Sequence, residues 1–284
     1  MGTSRDDILR GAVLRQLTTD LCLGVRYVPL ALPSGSAARR VRAVATAAPP
    51  TAGGTARGSG RRSARAVPLP AALRVCQIPP DQLAARGQAL STLDEAQVKG
   101  CTKCGLSQTR RNTVFGQGHP AARVVFVGEA PGHEEDLQGL AFVGRAGQLL
   151  TKMIEAMGLT RDDVFICNIL KCRPPENRDP APDEIASCWP YLDEQLRTIQ
   201  PEVIVALGKP AAQTLLRTKE GIGRLRGQWH SYYTSGSPLI GEPTPLMPTF
   251  HPAYLLRNPP DKGKAWNDLK MVMERLGLPL PKSG

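Results

Sequence analysis

Four short apolar runs, each closed by a turn and followed by a helical pattern, constrain the fold of this chain more than any other feature. They lie in RVVFVGEAPG from Arg123, DVFICNIL from Asp163, PEVIVALG from Pro201 and LMPTFHPAYLLR from Leu246. A strand with one face in water alternates apolar and polar residues, whereas these runs are almost continuous. Such strands belong in a parallel sheet covered on both faces. The segments between them supply the cover. AGQLLTKMIEAMGL places Leu149, Leu150, Met153, Ile154 and Met157 at helical spacing and stops at Gly158, while APDEIASCWPYLDEQLRTI opens on Pro182, Asp183 and Glu184. KPAAQTLL and KAWNDLKMVMERLG complete the set. The expected fold is α/β, with a central, mostly parallel four-stranded sheet flanked by helices. Residues from Ser231 to Leu246 are expected to form a hairpin or surface loop.

This texture begins near residue 91. Between positions 21 and 80 there is no Asp or Glu, and Arg, Ala, Pro, Gly and Ser dominate. Such a segment buries too little apolar surface to offset chain entropy. Residues 1–90 are therefore expected to be a mostly disordered basic extension, and residues 91–284 the folded domain. The formal net charge is +11, but residues 1–90 carry 13 Lys and Arg against 4 Asp and Glu, so most of the surplus is in the extension. Arg39, Arg40, Arg42, Arg61, Arg62 and Arg65 there could attract phosphate in a salt-dependent way. An acid-poor, Arg-rich start also resembles an organelle transit peptide, an idea weakened by Asp6, Asp7 and Asp20. No apolar run nears the roughly 18–20 residues that span a bilayer. A cytoplasmic monomer is expected.

The seven cysteines are odd in number and lack the dense spacing of a disulfide scaffold. Cys101 and Cys104 form a Cys-x2-Cys pair, which Cys172 and Cys188 would complete with 67 and 15 residues intervening. Four thiolates suit tetrahedral zinc or an iron–sulfur cluster, and spacing does not choose between them. Cys167, inside an apolar run, is expected to fill core.

In open α/β sheets ligands bind beyond the carboxyl ends of the strands, and three such loops carry unusual residues. The first, GEAPGHEEDLQGLAFVGRAGQLL, is glycine-rich and presents Gly128, Glu129, Ala130, Glu134, Glu135 and Asp136. Its acids and the lack of a Walker lysine disfavour a nucleotide-phosphate cradle. The second, NILKCRPPENRDP, places Asn168 where it would either cap a turn or read an amide-like edge. The third, HPAYLLR, has His251 held extended before Pro252, then Tyr254, Leu255, Leu256 and Arg257, side chains of a kind that wedge into a base stack and hold phosphate.

Together these loops and cysteines resemble the family 4 uracil-DNA glycosylases, the iron–sulfur branch of the uracil-DNA glycosylase superfamily, from about Leu93 to Leu276. The resemblance implies a monofunctional enzyme that hydrolyses the N-glycosidic bond of deoxyuridine in DNA and so starts base excision repair. It implies a structural [4Fe–4S] cluster on Cys101, Cys104, Cys172 and Cys188. Phe142 would stack on the uracil ring, Asn168 would bond its O4/N3–H edge, and His251 would stabilise charge at O2. Backbone groups around Glu129 and Ala130 would complete the pocket, with Gly128 and Ala130 contacting the substrate. Sister families orient the attacking water with an Asp or Asn where this chain has Ala130, so Glu129 is the first candidate for that role and Asp136 the second. A subgroup that becomes covalently joined to DNA carries an inserted Arg-rich segment ending in His after the second loop. None is present here, which implies turnover. Such an enzyme would be nucleoid-associated, and nothing in the sequence supports a sliding-clamp partner. The alternatives are a non-catalytic DNA-binding or polymerase-associated module on the same fold, and a zinc-stabilised nucleotide hydrolase.

Overall fold

The structure, a computed structural model, describes residues 74–234 and 242–280. The expected extension therefore lies largely outside the described residues, but its last part does not. Helix α1 (Pro80–Leu93) starts on a proline at its first turn, where no N–H is needed, and runs into one π-helical turn at Asp94–Val98. Its Leu90 and Leu93 are buried against helix α4 (Pro182–Ile199), and Arg86 donates to the Ile199 carbonyl at 2.6 Å. Residues 80–90, at the end of the segment expected to be mostly disordered, are thus helical. The Arg- and Pro-rich average of the tail masked two leucines that find cover.

Among the described residues the sheet has six strands in the order β1-β3-β2-β4-β6-β5. The four central ones are β2 (Val124–Gly128), β3 (Phe165–Asn168), β4 (Val203–Leu207) and β6 (Thr244–Thr249), all parallel, as the apolar runs require. The structure adds two short antiparallel edges. These are β1 (Gln117–Gly118) on β3 and β5 (His230–Tyr232) on β6; most of the segment expected as a hairpin or surface loop, residues 235–241, lies outside the described residues.

Side chains along the central strands alternate between two buried layers. Val125, Val127, Cys167, Ile204 and Ala206 face α1, α4 and α5 (Lys209–Leu216), which a short helix α6 (Ile222–Leu225) follows. Val124, Phe126, Ile166, Val203 and Val205 face α3 (Arg145–Ala156) and α8 (Lys262–Arg275). Full burial of such a side chain contributes roughly 1.5–3 kcal/mol, whereas strand propensity spans only about 1 kcal/mol. Cover on both faces, more than intrinsic preference, holds these strands. Among the described residues no helix is long and apolar enough to cross a membrane.

Candidate active site

The register of the sheet brings the first two loops together. Gly128 and Asn168 are direct partners at the ends of β2 and β3, and the pairing continues beyond them as Ile169 and Leu170 N–H donate to the Gly128 and Glu129 carbonyls, each at 3.0 Å. After Gly128 the chain forms helix α2 (His133–Gln138), then a loop leading into α3. The end of β6 delivers His251, which caps helix α7 (Pro252–Arg257). Between these ends lies a cavity of about 440 Å³ whose wall includes Glu129, Ala130, Glu135, Phe142, Asn168 and His251.

Asn168 is 1% exposed, and its Oδ1 is buried without a hydrogen-bond partner. A buried amide oxygen left unpaired costs free energy, so a ligand that donates to it gains by binding. Gly128 makes room for this side chain. A Cβ there would lie 2.3 Å from Asn168 Oδ1 and 2.5 Å from Phe142 Cζ. Phe142 takes a left-handed backbone, φ 52°, unusual for a bulky residue. Two groups hold it there: Arg161 donates to the Ala141 carbonyl at 2.7 Å and the Phe142 carbonyl at 3.2 Å, and Glu135 Oε1 accepts from Val143 and Gly144 N–H, both at 2.9 Å. Glu135 was read in the sequence as one acid among several. It is the clamp that shapes the loop carrying Phe142.

The ring of His251 is 5.7 Å from that of Phe142, centroid to centroid. Room for it comes from Gly208, at φ 90°, where a Cβ would meet His251 Cβ at 2.8 Å. Burial, and after it the charge of Arg257, holds the imidazole pKa down at about 4. The ring is therefore neutral near pH 7. Its Nδ1 accepts the Ala253 N–H at 3.1 Å, which assigns the ring proton to Nε2. The site thus has a neutral N–H donor beside an aromatic face. Glu129 titrates above the usual carboxylate range, first through burial and second through the charge of Asp179.

Of the other expected residues, Asp136 and Leu255 stand apart from this cavity. Asp136 is buried with its Oδ1 accepting the Arg111 N–H at 2.9 Å, so it fastens the preceding loop and faces away from any ligand. Leu255 is 1% exposed and packs inward beside Leu149, Met153 and Leu269, so it does not present a wedge as it stands. Leu256 is exposed at 37%, and Arg257 is also exposed. Tyr254 is tied down, its OH donating to Asp261 Oδ2 at 2.6 Å and its ring stacked on Phe250 at 4.9 Å. Tyr254 and Arg257 both line the cavity.

Cys101, Cys104, Cys172 and Cys188 line one small pocket with Lys103, Lys171 and Tyr191. Three of the sulfurs accept hydrogen bonds: Cys172 from Arg110 Nη1 at 3.1 Å, Cys188 from the Lys171 N–H at 3.2 Å, and Cys101 from the Tyr191 OH at 3.2 Å. Burial pushes the Cys172 thiol up to about 11, so a bound cation is what would hold it as thiolate near pH 7. Four sulfurs with donors and lysines around them fit an anionic, thiolate-ligated group. Among the described residues, no three His, Cys, Asp or Glu side chains form a site for a single metal ion.

An α/β sheet with a ligand cavity at its strand ends, a buried unpaired amide and an aromatic wall is a layout suited to holding a flat, hydrogen-bonding ring. The profile of the Uracil DNA glycosylase superfamily matches residues 115–270, and the chain belongs to that superfamily. Within it the chain is similar to proteins described as type-4 uracil-DNA glycosylases. It is 43% identical to that of Saccharolobus solfataricus over 63% of this chain and 83% of that protein. It is 41% identical to that of Archaeoglobus fulgidus over 68% of this chain and 97% of that protein, and 46% identical to that of Thermotoga maritima over 60% and 85%.

Proposed function

We propose that the protein hydrolyses the N-glycosidic bond of deoxyuridine in DNA, releasing uracil and leaving an abasic site. The observation that carries this reading is the unpartnered, buried Asn168 amide oxygen at a cavity floored by Phe142. The type-4 relatives, named for uracil-DNA glycosylase activity, support it.

A base inside a duplex is out of reach, so the nucleotide must swing out into the cavity. Phe142 then stacks on the ring while the Asn168 amide accepts from N3–H and donates to O4. Cytosine would offer an acceptor at N3 and an amine at C4, leaving both ends of that amide mispaired. As the C1′–N1 bond breaks, its electron pair passes to the base and spreads toward O2, where the His251 Nε2–H donates. A neutral donor suits this role because it stabilises developing charge without surrendering a proton. Water adds to the cationic sugar at C1′, and its proton passes to Glu129, whose raised pKa suits acceptance.

Cys101, Cys104, Cys172 and Cys188 would hold a [4Fe–4S] cluster, which would tie the turn at Cys101–Cys104 to β3 and α4. Its contribution is stability, since the cavity chemistry needs no electron transfer. A brown protein absorbing at roughly 400 nm is expected, with colour and thermal stability both lost in Cys101→Ala. A colourless protein holding stoichiometric zinc would exclude the cluster.

The decisive assay uses a labelled oligonucleotide with one deoxyuridine. Alkali-labile abasic sites should form without added cofactor, and Asn168→Ala should suppress them. Tight binding of that DNA with no abasic product would favour a non-catalytic module instead.

A further inference from the structure

Three positions beyond Asn168, where the chain passes from β3 to the cysteine pocket, stands a lysine that the chemistry above does not use. Lys171 is 1% exposed. Its ammonium donates to the Asn168 carbonyl at 2.8 Å and to Gln195 Oε1 at 2.6 Å. Gln195, fully buried on α4, passes the constraint on by donating to the Phe115 carbonyl at 2.9 Å. The lysine's own peptide is also committed, with its N–H on Cys188 Sγ at 3.2 Å and its carbonyl accepting Val114 N–H at 2.7 Å.

Burying an ammonium is costly, and an aliphatic residue of similar volume would fill this space without that penalty. What the lysine does that an aliphatic residue does not is reach back past its own peptide and grip the carbonyl of Asn168. The Asn168 side chain leaves the same residue toward the cavity, so a tilt of that peptide redirects the amide. We propose that Lys171 is a positioning residue for base selection: with Gln195 it locks the Asn168 peptide and so aims the Asn168 amide at the flipped base. This rests on the uracil reading. It also makes the lysine a mechanical bridge between the cysteine pocket, through its N–H, and the recognition residue, through its side chain.

The test is a double-mutant cycle on the full-length, cluster-loaded protein. Single-turnover excision of uracil is measured for wild type, Lys171→Met, Asn168→Ala and the double variant, with absorbance at roughly 400 nm per chain as a second readout. Lys171→Met should slow excision roughly 10- to 100-fold when Asn168 is present and less than about 2-fold when it is already alanine, the coupling expected within one hydrogen-bond network. Absorbance per chain should stay unchanged, and Lys171→Arg should recover part of the rate. Equal losses in both backgrounds, wild-type excision by Lys171→Met, or absorbance lost in step with activity would each overturn the proposal. Should Lys171→Met fail to fold, Gln195→Leu is taken through the same cycle, and additivity there overturns it. If wild type leaves uracil in place, the functional reading itself falls. If wild type excises and Asn168→Ala does not, additivity removes only the role of Lys171.

Discussion

Replacing Gly128 by alanine should disable the pocket while leaving the sheet standing. The added methyl would sit 2.3 Å from Asn168 Oδ1 and 2.5 Å from Phe142 Cζ, where ordinary contacts begin at 3.4 Å. Each neighbour would have to yield by about 1 Å. Neither can do so through its backbone: Asn168 is paired with β2 and gripped by Lys171, and the Phe142 carbonyl is held by Arg161. The side chains must therefore rotate away from the positions proposed to receive a base. A misplacement of about 1 Å costs on the order of 100-fold in rate, about 2.7 kcal/mol of activation free energy. Overpacking should also destabilise the fold by about 1–3 kcal/mol, a Tm loss of roughly 3–10 °C. Gly100→Ala, with nothing within 4 Å of its added carbon, serves as the control. Excision kinetics on the deoxyuridine oligonucleotide and thermal unfolding measure both effects. A Gly128→Ala protein that excises within about 3-fold of wild type would refute the idea that these two side chains are rigidly placed.

Three further expectations concern charge and packing. His251 is buried neutral, with its folded pKa of about 4 below the ordinary value of about 6.5. Its stabilising contribution is therefore complete above pH 6.5 and declines as pH falls toward 4, and Tm should drop less steeply over that range in His251→Gln. Equal slopes would count against a neutral buried ring. Because burial and Asp179 raise the Glu129 pKa, the acid limb of the pH–rate profile should lie above the usual carboxylate range. Asp179→Asn should move it downward, and an unmoved limb would separate Glu129 from the step that it reports. Leu255→Ala should cost about 2–4 kcal/mol of stability, a cavity penalty measured by denaturant unfolding. Leu256→Ala should instead weaken DNA binding with little change in stability, and the reverse pattern would restore Leu255 as the wedge.

Much of this architecture was legible because the apolar runs mark strands buried on both faces, and all four appear as the central parallel strands. The edge strands were not. Gln117–Gly118 is too short for any periodicity, and its pairing depends on where β3 ends up. Helix α1 was hidden by the composition around it. In the site, Phe142, Asn168, His251 and Glu129 converge on one cavity, whereas Asp136 and Leu255 do not. Loop acids look alike in a sequence, and only the partner separates Asp136, which holds Arg111 N–H, from Glu135, which shapes the Phe142 loop. Leu255 and Leu256 differ by one step around a short helix, a rotation that the sequence of α7 does not determine. Lys171 reads as a surface lysine beside a cysteine. Gln195 left a fainter trace, since it falls on the helical stripe of Tyr191, Leu192 and Ile199, where a polar residue needs a buried partner.

The pairing of Gly128 with Asn168 across β2 and β3 carries a consequence for how selectivity can fail. Successive residues of a strand point to opposite faces, so a slip of one position in β3 would withdraw Asn168 and present Cys167 or Ile169 at the cavity end. The amide proposed to choose the base is thus an element of the sheet's register, not an ornament on a pliable loop. With Asn168 in its proposed role, a molecule folded in the wrong register would lose its grip on the base before it could accept a wrong one, so such an error would cost activity rather than damage sound DNA.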